Sequence, residues 1–546
     1  MAKVAYKADK YYTYAEIVDL LNQWHAAFPG LTEVYSIGKT YEGRDLWLIE
    51  ITNHATGSAD DKAAYYIDAN FHAGEVTGSA VALYTISHLL ENYGQCDGVT
   101  HLLDTKAFYI LPRVSCDGAE VYLHTPYILR SSTRIWPFED QDGLHAEDVN
   151  GDGYIAQMRV QDEHGEWKIS ADDPRLMVRR GPDDHGGVYY RVYNEGRIKN
   201  FDGVEVKVAR PRWGLDINRN SPAHWDIDSR QRGSGPYPFS EPETKAVGDF
   251  LIAKKNVAGA MSFHTFGGVH LRPMCTKGDD KLPGRDREYY KAIAARGKEF
   301  TGYPDTSVFE GFTADKNNPL RGVFMDWVYE HRGVLCWSTE LWNPLAMAGV
   351  EKTDFPSRQK KTQRELEQDE LKLLQWNDRE LDGEGFLPWT AYAHPELGEV
   401  EIGGWKTKYV RQNPPEKFLE EVCQKNMQFT LVHAMSLPEL GIRKVQVTKV
   451  EQGLYRVTLA VINKGYLPTS ASDMAVRAKV ASPVEVTIAG EQITLPVGKA
   501  KLELGHLAGW SEQKVEWLVQ AAAGSSLTIT AHAHRAGKAK VELTLE

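Results

Sequence analysis

The chain has 546 residues, of which 42% are hydrophobic and 25% are charged, and its formal net charge is −12. The composition is ordinary for a globular protein, but the length exceeds what one hydrophobic core supports, so several domains are expected. The negative charge excludes nucleic acid and an anionic membrane as the main partner, because each requires a basic surface.

The cysteines and the N-terminal sequence narrow the class of protein further. The five cysteines are scattered and form no CxxC pair, which excludes a disulfide framework and a cysteine zinc site. The N-terminal residues show neither a long apolar run nor a small-residue cleavage site. The sequence therefore predicts a cytoplasmic protein, or a secreted one if a leader has been removed. No stretch is apolar enough to predict a membrane span.

Helices and strands alternate in the first section of the chain. "TYAEIVDLLNQWHAAFP" has helical spacing, with Thr13 as N-cap and Glu16 three residues later. Two strands around the turn "YEGRD" follow, and then "YYIDANFHAGEVTG" (residues 65–78) predicts an apolar strand that ends at His72. A helix in "GSAVALYTISHLLENYG" and a strand in "KAFYILPRV" complete the section. This alternation predicts an α/β sheet with helices on its faces.

The pattern changes twice along the rest of the chain. Residues 135–213 are rich in Asp, Gly and Arg with weak periodicity, which indicates a long insertion, after which helix and strand patterns resume. After about residue 440 apolar and polar residues alternate between short turns, as in a β-sandwich. We therefore expect a catalytic domain at 1–435 and a β-sandwich domain at 440–546.

Two histidines and a glutamate follow predicted strands. His72 and Glu75 form an HxxE pattern, which is common by chance, and His264 lies at the end of the strand in "SFHTF". Because functional residues of an α/β sheet gather outside the carboxyl ends of its strands, these three side chains can meet at one edge. Two imidazoles and one carboxylate form a ligand set of catalytic zinc that leaves one position open for water.

Other polar residues near strand ends suit the same chemistry. Glu340 ends the strand in "GVLCWSTEL" among apolar neighbours that raise the pKa of a general base. In "GLDINRNSP", Asp216 can accept the second N–H of a zinc-bound histidine, and Asn218 with Arg219 can hold a carboxylate. Arg130 can face a developing oxyanion.

The chain resembles the zinc metallocarboxypeptidase family, that of carboxypeptidase A, in six segments that occur in the family's order. These segments are "HAGE", "CDGAEVY", "LDINRNSP", "PFSEPETKAV", "SFHTF" and "STEL". The resemblance covers roughly residues 10–435. It implies a mixed central sheet flanked by helices, one zinc ion per chain, and a peptide or peptide-like substrate with a free C-terminal carboxylate. The implied roles are zinc ligands for His72, Glu75 and His264, general base for Glu340, oxyanion arginine for Arg130, terminal-carboxylate binding for Asn218 and Arg219, and support of a zinc-binding histidine for Asp216.

The chain departs from the family pattern at several positions. The arginine inside HxxE is Gly74 here, and the position of the mobile substrate-binding tyrosine falls near Asn318, with Tyr329 nearby. The base of the specificity pocket falls near Met325, which argues against strict Lys or Arg preference. An apolar preference fits Met325, and two arginines leave an acidic preference open, namely Arg272 and Arg321.

The insertion contains half of a calcium-binding pattern. "DVNGDGYIAQMR" matches the first half of an EF-hand loop at Asp148, Asn150 and Asp152, but its twelfth position is Arg159. A true EF-hand is therefore not expected, and a calcium loop would need a carboxylate from elsewhere. The candidates considered are Asp140, Asp142 and Glu147.

The leading hypothesis is a zinc carboxypeptidase in which Glu340 activates a zinc-bound water to cleave the C-terminal peptide bond. One alternative keeps the fold and hydrolyses γ-glutamyl or peptidoglycan stem-peptide bonds. A second alternative, of another functional class, is a catalytically inactive binding protein. The retained zinc ligands and Glu340 argue against it.

Overall fold

The structure is a computed structural model that describes residues 4–137 and 141–546. Its helices are α1 (Tyr14–Ala27), α2 (Thr77–Asn92), α3 (Asp97–Thr105), α4 (Cys116–His124), α5 (Pro242–Ala253), α6 (Gly284–Thr301), α7 (Val308–Gly311), α8 (Phe324–Arg332), α9 (Pro344–Met347), α10 (Phe355–Gln359), α11 (Gln363–Leu381), α12 (Leu419–Met435) and α13 (Asp473–Arg477). Its strands up to the end of the insertion are β1 (Thr32–Lys39), β2 (Asp45–Ile51), β3 (Ala63–Ala69), β4 (Lys106–Leu111), β5 (Gly143–Ala146), β6 (Gln157–Gln161), β7 (Trp167–Ile169), β8 (Met177–Arg179), β9 (Tyr190–Asn194) and β10 (Gly196–Lys199). The later strands are β11 (Val257–Thr265), β12 (Val269–Arg272), β13 (Asp305–Ser307), β14 (Leu335–Leu341), β15 (Phe386–His394), β16 (Gly398–Trp405), β17 (Leu440–Glu451), β18 (Leu454–Asn463), β19 (Glu485–Gly490), β20 (Lys501–Glu503), β21 (Glu512–Gln520), β22 (Ser526–Ala533) and β23 (Gly537–Thr544).

An eight-stranded mixed sheet in the order β1-β2-β4-β3-β11-β14-β12-β13 forms the centre of the first domain. The strands β4, β3, β11 and β14 run parallel, whereas β1 pairs antiparallel with β2, β2 with β4, and β12 with β14. The edge strand β13 is parallel to β12. Helices α2, α6 and α12 pack together on one face, and α5 and α8 contact the sheet through β1 and β14. The expectation of a mixed sheet flanked by helices is confirmed.

The first helix begins where the sequence predicts. Thr13 caps α1, since its hydroxyl accepts from the backbone N–H of Glu16 at 3.3 Å while the Glu16 carboxylate accepts from the Thr13 N–H at 2.8 Å. The third strand, in contrast, ends at Ala69 and not at His72. Asn70 has a left-handed backbone with φ of 62°, which ends the strand. Its amide donates to the carbonyls of His72 and Ala73 at 2.5 and 3.0 Å, so the turn is stabilised by a side chain that follows the apolar run.

The insertion is built of short strands that its weak periodicity did not reveal. Strands β6 to β9 join the later hairpin of β15 and β16 in a six-stranded sheet of order β15-β16-β6-β9-β7-β8, and β5 pairs with β10. Strands of three to five residues carry too few positions to show alternation clearly. The insertion is therefore attached to a segment of chain some 200 residues further on, as the pair Arg159 and Glu401 illustrates.

The C-terminal region is an all-β domain, as expected. The sheets β17-β18-β21 and β20-β19-β22-β23 enclose a separate apolar core that includes Tyr455, Trp517 and Ile529. Arg535, only 2% exposed, connects this domain to the end of α8. Its guanidinium donates to the carbonyls of Gly333 and Ser470, each at 3.1 Å, and to that of Arg332. Within the described residues, no helix is both long and apolar enough to cross a membrane.

Candidate active site

Three buried side chains converge at the carboxyl edge of the parallel strands. His264 is the penultimate residue of β11, and His72 and Glu75 lie in the loop between β3 and α2. Because β3 and β11 are parallel neighbours, the loop after β3 lies beside the end of β11. The Nδ1 atoms of both histidines lie 2.9 Å from oxygens of Glu75, and 3.2 Å from each other.

This donor set fits a zinc ion. The three ligand atoms lie within 4.8 Å of one another, and all three residues are buried. Ligands at about 2.0–2.1 Å in a tetrahedral arrangement are separated by about 3.3 Å, close to the separation of the two imidazole nitrogens. Two imidazoles and a carboxylate that converge on one point form a donor set that a divalent cation would hold together.

The charges of the cluster depend on one another. Burial by itself raises the pKa of the Glu75 carboxyl, but His72 and His264 hold that pKa below its ordinary value. Burial lowers the pKa of His264, yet the hydrogen bond and the charge of Glu75 raise it overall. The carboxylate is therefore ionised and ready to bind a cation.

Asp216 joins one histidine of the cluster to an arginine. Its Oδ1 atom lies 3.1 Å from His72 Nε2, and its Oδ2 atom accepts from Arg130 Nε at 3.0 Å. Arg130 also donates from Nη1 to Glu75 at 3.4 Å, and its side chain is 45% exposed. Burial opposes ionisation of Asp216, but Arg130 and then Arg219 hold its pKa well below the ordinary value. The guanidinium of Arg130 thus lies at the rim of the cluster.

Asn218 and Arg219 follow Asp216 in a single turn of 3₁₀ helix. The Asn218 side chain accepts from the N–H of Phe324 at 2.9 Å, which connects this turn to the start of α8. Arg219 donates from Nη1 to the Asn218 carbonyl at 2.7 Å, and its Nη2 atom is 3.9 Å from Asp216. The guanidinium is therefore held against its own turn, and this turn is bonded to the start of α8 through Asn218.

Glu340 lies beside the cluster. It is the register partner of His264 on the parallel neighbour β14, so the two side chains emerge at the same level of the sheet. Burial, and then the negative charge of Glu75, raise the pKa of Glu340 well above the ordinary value of a glutamate. Its Oε2 atom is buried and has no hydrogen-bond partner among the described residues.

Comparison with known proteins identifies the family. The family model described as "Zinc carboxypeptidase" matches residues 17–348, more than half of the chain. The chain belongs to the zinc carboxypeptidase family. Residues 439–544 match a model described as a domain of unknown function.

Relatives within the family are distant. Carboxypeptidase A2 of Rattus norvegicus is 30% identical over 275 residues, covering 50% of this chain and 49% of that protein. Carboxypeptidase D of Drosophila melanogaster is 33% identical over 116 residues, 20% of this chain and 8% of that protein. The crystal structure of carboxypeptidase A from Helicoverpa armigera superposes with a TM-score of 0.46 at 15% identity, covering 78% of this chain and 74% of that one. The chain thus spans about half or less of the sequence relatives named here.

Two supporting contacts of the zinc carboxypeptidase site are not visible in the motifs. His264 Nε2 lies 3.2 Å from Ser262 Oγ, which donates to Asp68 at 2.6 Å. Burial raises the pKa of Asp68 to about 7. The sequence does carry a signal for this contact, since Asp68 is an acidic residue inside the otherwise apolar strand "AAYYIDA". On the loop side, Asn413 donates to the Gly74 carbonyl at 2.7 Å and accepts from Thr77 Oγ1 at 2.7 Å.

Position 74, inside HxxE, has no space for a side chain. A Cβ atom at this position would lie 2.8 Å from Gln412 Nε2 and 2.8 Å from a ring carbon of Tyr122. The space that a side chain would need inside HxxE is therefore filled by the segment that carries Gln412 and Asn413. The same segment supports the loop of the candidate zinc ligands His72 and Glu75.

The structure places the residues considered for substrate contact as follows. Tyr329 is buried in α8 and donates to Asp286 at 2.7 Å, so it does not take the place of a mobile tyrosine, whereas Asn318 is exposed. Met325 is 1% exposed. The acidic preference loses its support, because the two arginines are already paired: Arg272 with Asp279 at 2.6 Å and Arg321 with Asp226 at 2.7 Å.

The loop with the calcium pattern is closed by its own hydrogen bonds. Asp148 accepts from the N–H groups of Gly151 and Gly153 at 2.7 and 2.9 Å, and Asn150 accepts from Asp152 at 2.9 Å. The carboxylate next to this loop is Glu195, which accepts from three of its backbone N–H groups.

The carboxylates first considered for this loop have other partners or are not described. Asp142 accepts from Asn200 and Glu147 pairs with Arg197, while Asp140 lies outside the described residues. Calcium binding by Asp148, Asn150 and Asp152 stays a prediction.

Proposed function

We propose that this chain is a zinc-dependent carboxypeptidase that hydrolyses the C-terminal peptide bond of a peptide. The observation that carries the proposal is the convergence of three buried ligands, His72, Glu75 and His264, with a carboxyl group, Glu340, in register beside them. Zinc held by these ligands supplies Lewis acidity and lowers the pKa of a coordinated water.

Glu340 acts as general base in this proposal. Its Oε2 atom is buried and has no hydrogen bond within the described part of the chain, so it is free to accept a proton from the attacking water. The exposed fraction of Arg130 allows its guanidinium to donate to the oxyanion that develops on the scissile carbonyl. Asp216 fixes the orientation of both His72 and Arg130 by accepting from each.

Asn218 and Arg219 bind the terminal carboxylate of the substrate. The Asn218 Oδ1 atom is engaged by the Phe324 N–H, which leaves its amide N–H groups as donors. The Arg219 side chain is 12% exposed, and among the described residues it is bonded only to acceptors on its own turn. Its remaining N–H groups can therefore form a bidentate pair with a carboxylate. The preference for free termini is what distinguishes an exopeptidase from an endopeptidase.

The test compares two peptides that differ only in a free or amidated C-terminus. The amidated peptide cannot pair with Arg219, so kcat/KM should be at least about tenfold lower, which corresponds to 1.4 kcal/mol. Arg219→Ala should remove most of this difference, whereas Arg321→Ala, at an arginine already paired with Asp226, should preserve it. Equal hydrolysis of both peptides by the wild type, or cleavage inside long peptides, contradicts the proposal.

A further inference from the structure

A large cavity lies between the insertion and the later hairpin. It has a volume of about 1060 Å³. Its wall combines segment 127–128, strands of the insertion, helix α11 and the hairpin of β15 and β16. Helix α11 and the hairpin both lie beyond residues 17–348, the part of the chain that the zinc carboxypeptidase family model matches. One side of the cavity wall is therefore built by parts of the chain that lie outside the matched range.

Two chain segments connect the cavity wall to the active site. Tyr127 lines the cavity three residues before Arg130, and Trp213 lines it three residues before Asp216. Arg130 and Asp216 are bonded to each other, so both segments meet at the zinc ligands. The wall includes neither Arg219 nor any residue of α8, where the substrate's terminus is proposed to bind. A peptide that places its C-terminus by α8 can thus extend on the other side into the cavity.

The charged side chains of the cavity wall are mostly basic. Among residues 4–137 and 141–546, it contains six arginines against three glutamates and no aspartate. Four of the arginines have a carboxylate partner: Arg175 with Asp378, Arg179 with Glu166, Arg358 with Asp369, and Arg411 with Glu370. Arg210 and Arg212 are exposed and have no ion pair within residues 4–137 and 141–546. In a chain of net charge −12, this wall offers unpaired positive charge.

The wall of the cavity also carries aromatic side chains. Six aromatic residues line the cavity, among them Trp167, Trp389 and Trp405. Arginines are stacked on three tryptophan rings, since the guanidinium carbon of Arg179 lies 4.3 Å from the ring centre of Trp167, that of Arg159 lies 4.4 Å from Trp389, and that of Arg411 lies 4.9 Å from Trp405. Such stacking fixes the direction of these three arginine side chains.

We propose that this cavity binds the part of the substrate upstream of the scissile bond, and that this part is an acidic peptide segment recognised by Arg210 and Arg212. The inference rests on the proposed function, because it assigns the remainder of a substrate whose last residue occupies the active site. Two specificities are then separate. The pocket near α8 selects the residue that is released, and the cavity selects the acidic sequence before it.

The first experiment measures hydrolysis. Two peptides share the same C-terminal dipeptide and carry either three glutamates or three glutamines upstream. The wild type should hydrolyse the acidic peptide with a kcat/KM about tenfold higher, as expected for two partly screened ion pairs. The double variant Arg210→Gln with Arg212→Gln should bring the ratio of the two kcat/KM values close to 1. Arg285→Gln, at an exposed arginine of α6 outside the cavity wall, should leave the ratio unchanged.

The second experiment measures binding alone. A fluorescently labelled acidic peptide is titrated into the full chain carrying Glu340→Gln, and its anisotropy reports the Kd for the acidic and the glutamine peptide. The acidic peptide should bind about tenfold more tightly at low salt, and the Arg210→Gln, Arg212→Gln pair should remove the difference. Equal Kd values for the two peptides overturn the inference even if hydrolysis is normal. Selective binding by this variant, combined with no hydrolysis of either peptide by the wild type, instead supports the cavity's role and contradicts the proposed function.

Discussion

Glu340 and His264 are register partners on two parallel strands, and this pairing holds a buried carboxyl beside a buried imidazole at the same level of the sheet. Both strands are buried along their whole length, so neither side chain can move away from the other without disturbing the core. The candidate base and one candidate zinc ligand are therefore fixed by backbone hydrogen bonds.

Glu340→Gln should abolish most turnover and leave the metal in place. The amide has the same shape but cannot accept a proton, and loss of a general base costs about 10²–10⁴-fold in rate. Glu50→Gln, which changes another buried glutamate on β2, should keep wild-type turnover. Release of the C-terminal residue and zinc content would be measured on the same preparations. Normal turnover in Glu340→Gln would assign the proton transfer to another group.

Removal of a ligand should empty the zinc site. His264→Ala leaves only His72 and Glu75, and zinc sites of this kind require three protein ligands. We expect about one zinc per chain in the wild type and almost none in the variant, by elemental analysis after dialysis. His270→Gln changes a buried histidine of β12 that bonds to Thr339 and Thr301, and it should retain zinc. Full occupancy in His264→Ala would show that the ion binds elsewhere.

The sequence predicts the local parts of this site better than its long-range parts. The residues His72 and Glu75 are three positions apart in one loop, so a motif alone places them together. The Ser262 and Asp68 pair depends instead on the register of β11 against β3, where the two residues face each other. Asn413 reaches Gly74 across 339 positions, and nothing in its neighbourhood distinguishes it from a turn residue. Only the folded chain reveals contacts of this kind.

The calcium pattern of the insertion can be tested apart from its role in the turn. Asp148 and Asp152 accept backbone N–H groups, so truncation would weaken the loop with or without a metal. Asp148→Asn with Asp152→Asn keeps one acceptor oxygen at each position, which preserves more of the turn than truncation does, and removes the charge that calcium requires. The pattern predicts that calcium raises the Tm of chelator-treated wild type and not that of the double variant. An unchanged Tm in the wild type would leave this loop as a hydrogen-bonded turn.

Arg535 should stabilise helix α8 from the C-terminal domain. Its guanidinium binds three carbonyls, of which those of Arg332 and Gly333 belong to the C-terminal end of α8. The start of the same helix, the Phe324 N–H, is bonded to Asn218 of the candidate active site. Arg535→Met would keep the bulk of the side chain but remove this donor from the carbonyls of Arg332 and Ser470, at a cost of about 3 kcal/mol in the free energy of unfolding. Arg477→Met, at an exposed arginine on the adjacent helix α13, should change it by less than about 0.5 kcal/mol.

Hydrogen exchange would show whether this contact acts on α8 itself. Helix α8 is held by the C-terminal domain at Gly333, where the hydroxyl of Ser472 also donates to the carbonyl at 2.6 Å. Loss of the Arg535 bonds should therefore speed amide exchange in α8 more than in α6, and raise the KM for a free-terminus peptide through Asn218. Faster exchange confined to the C-terminal β-domain, with α8 as protected as in the wild type, would mean that Arg535 stabilises its own domain and does not support the active site.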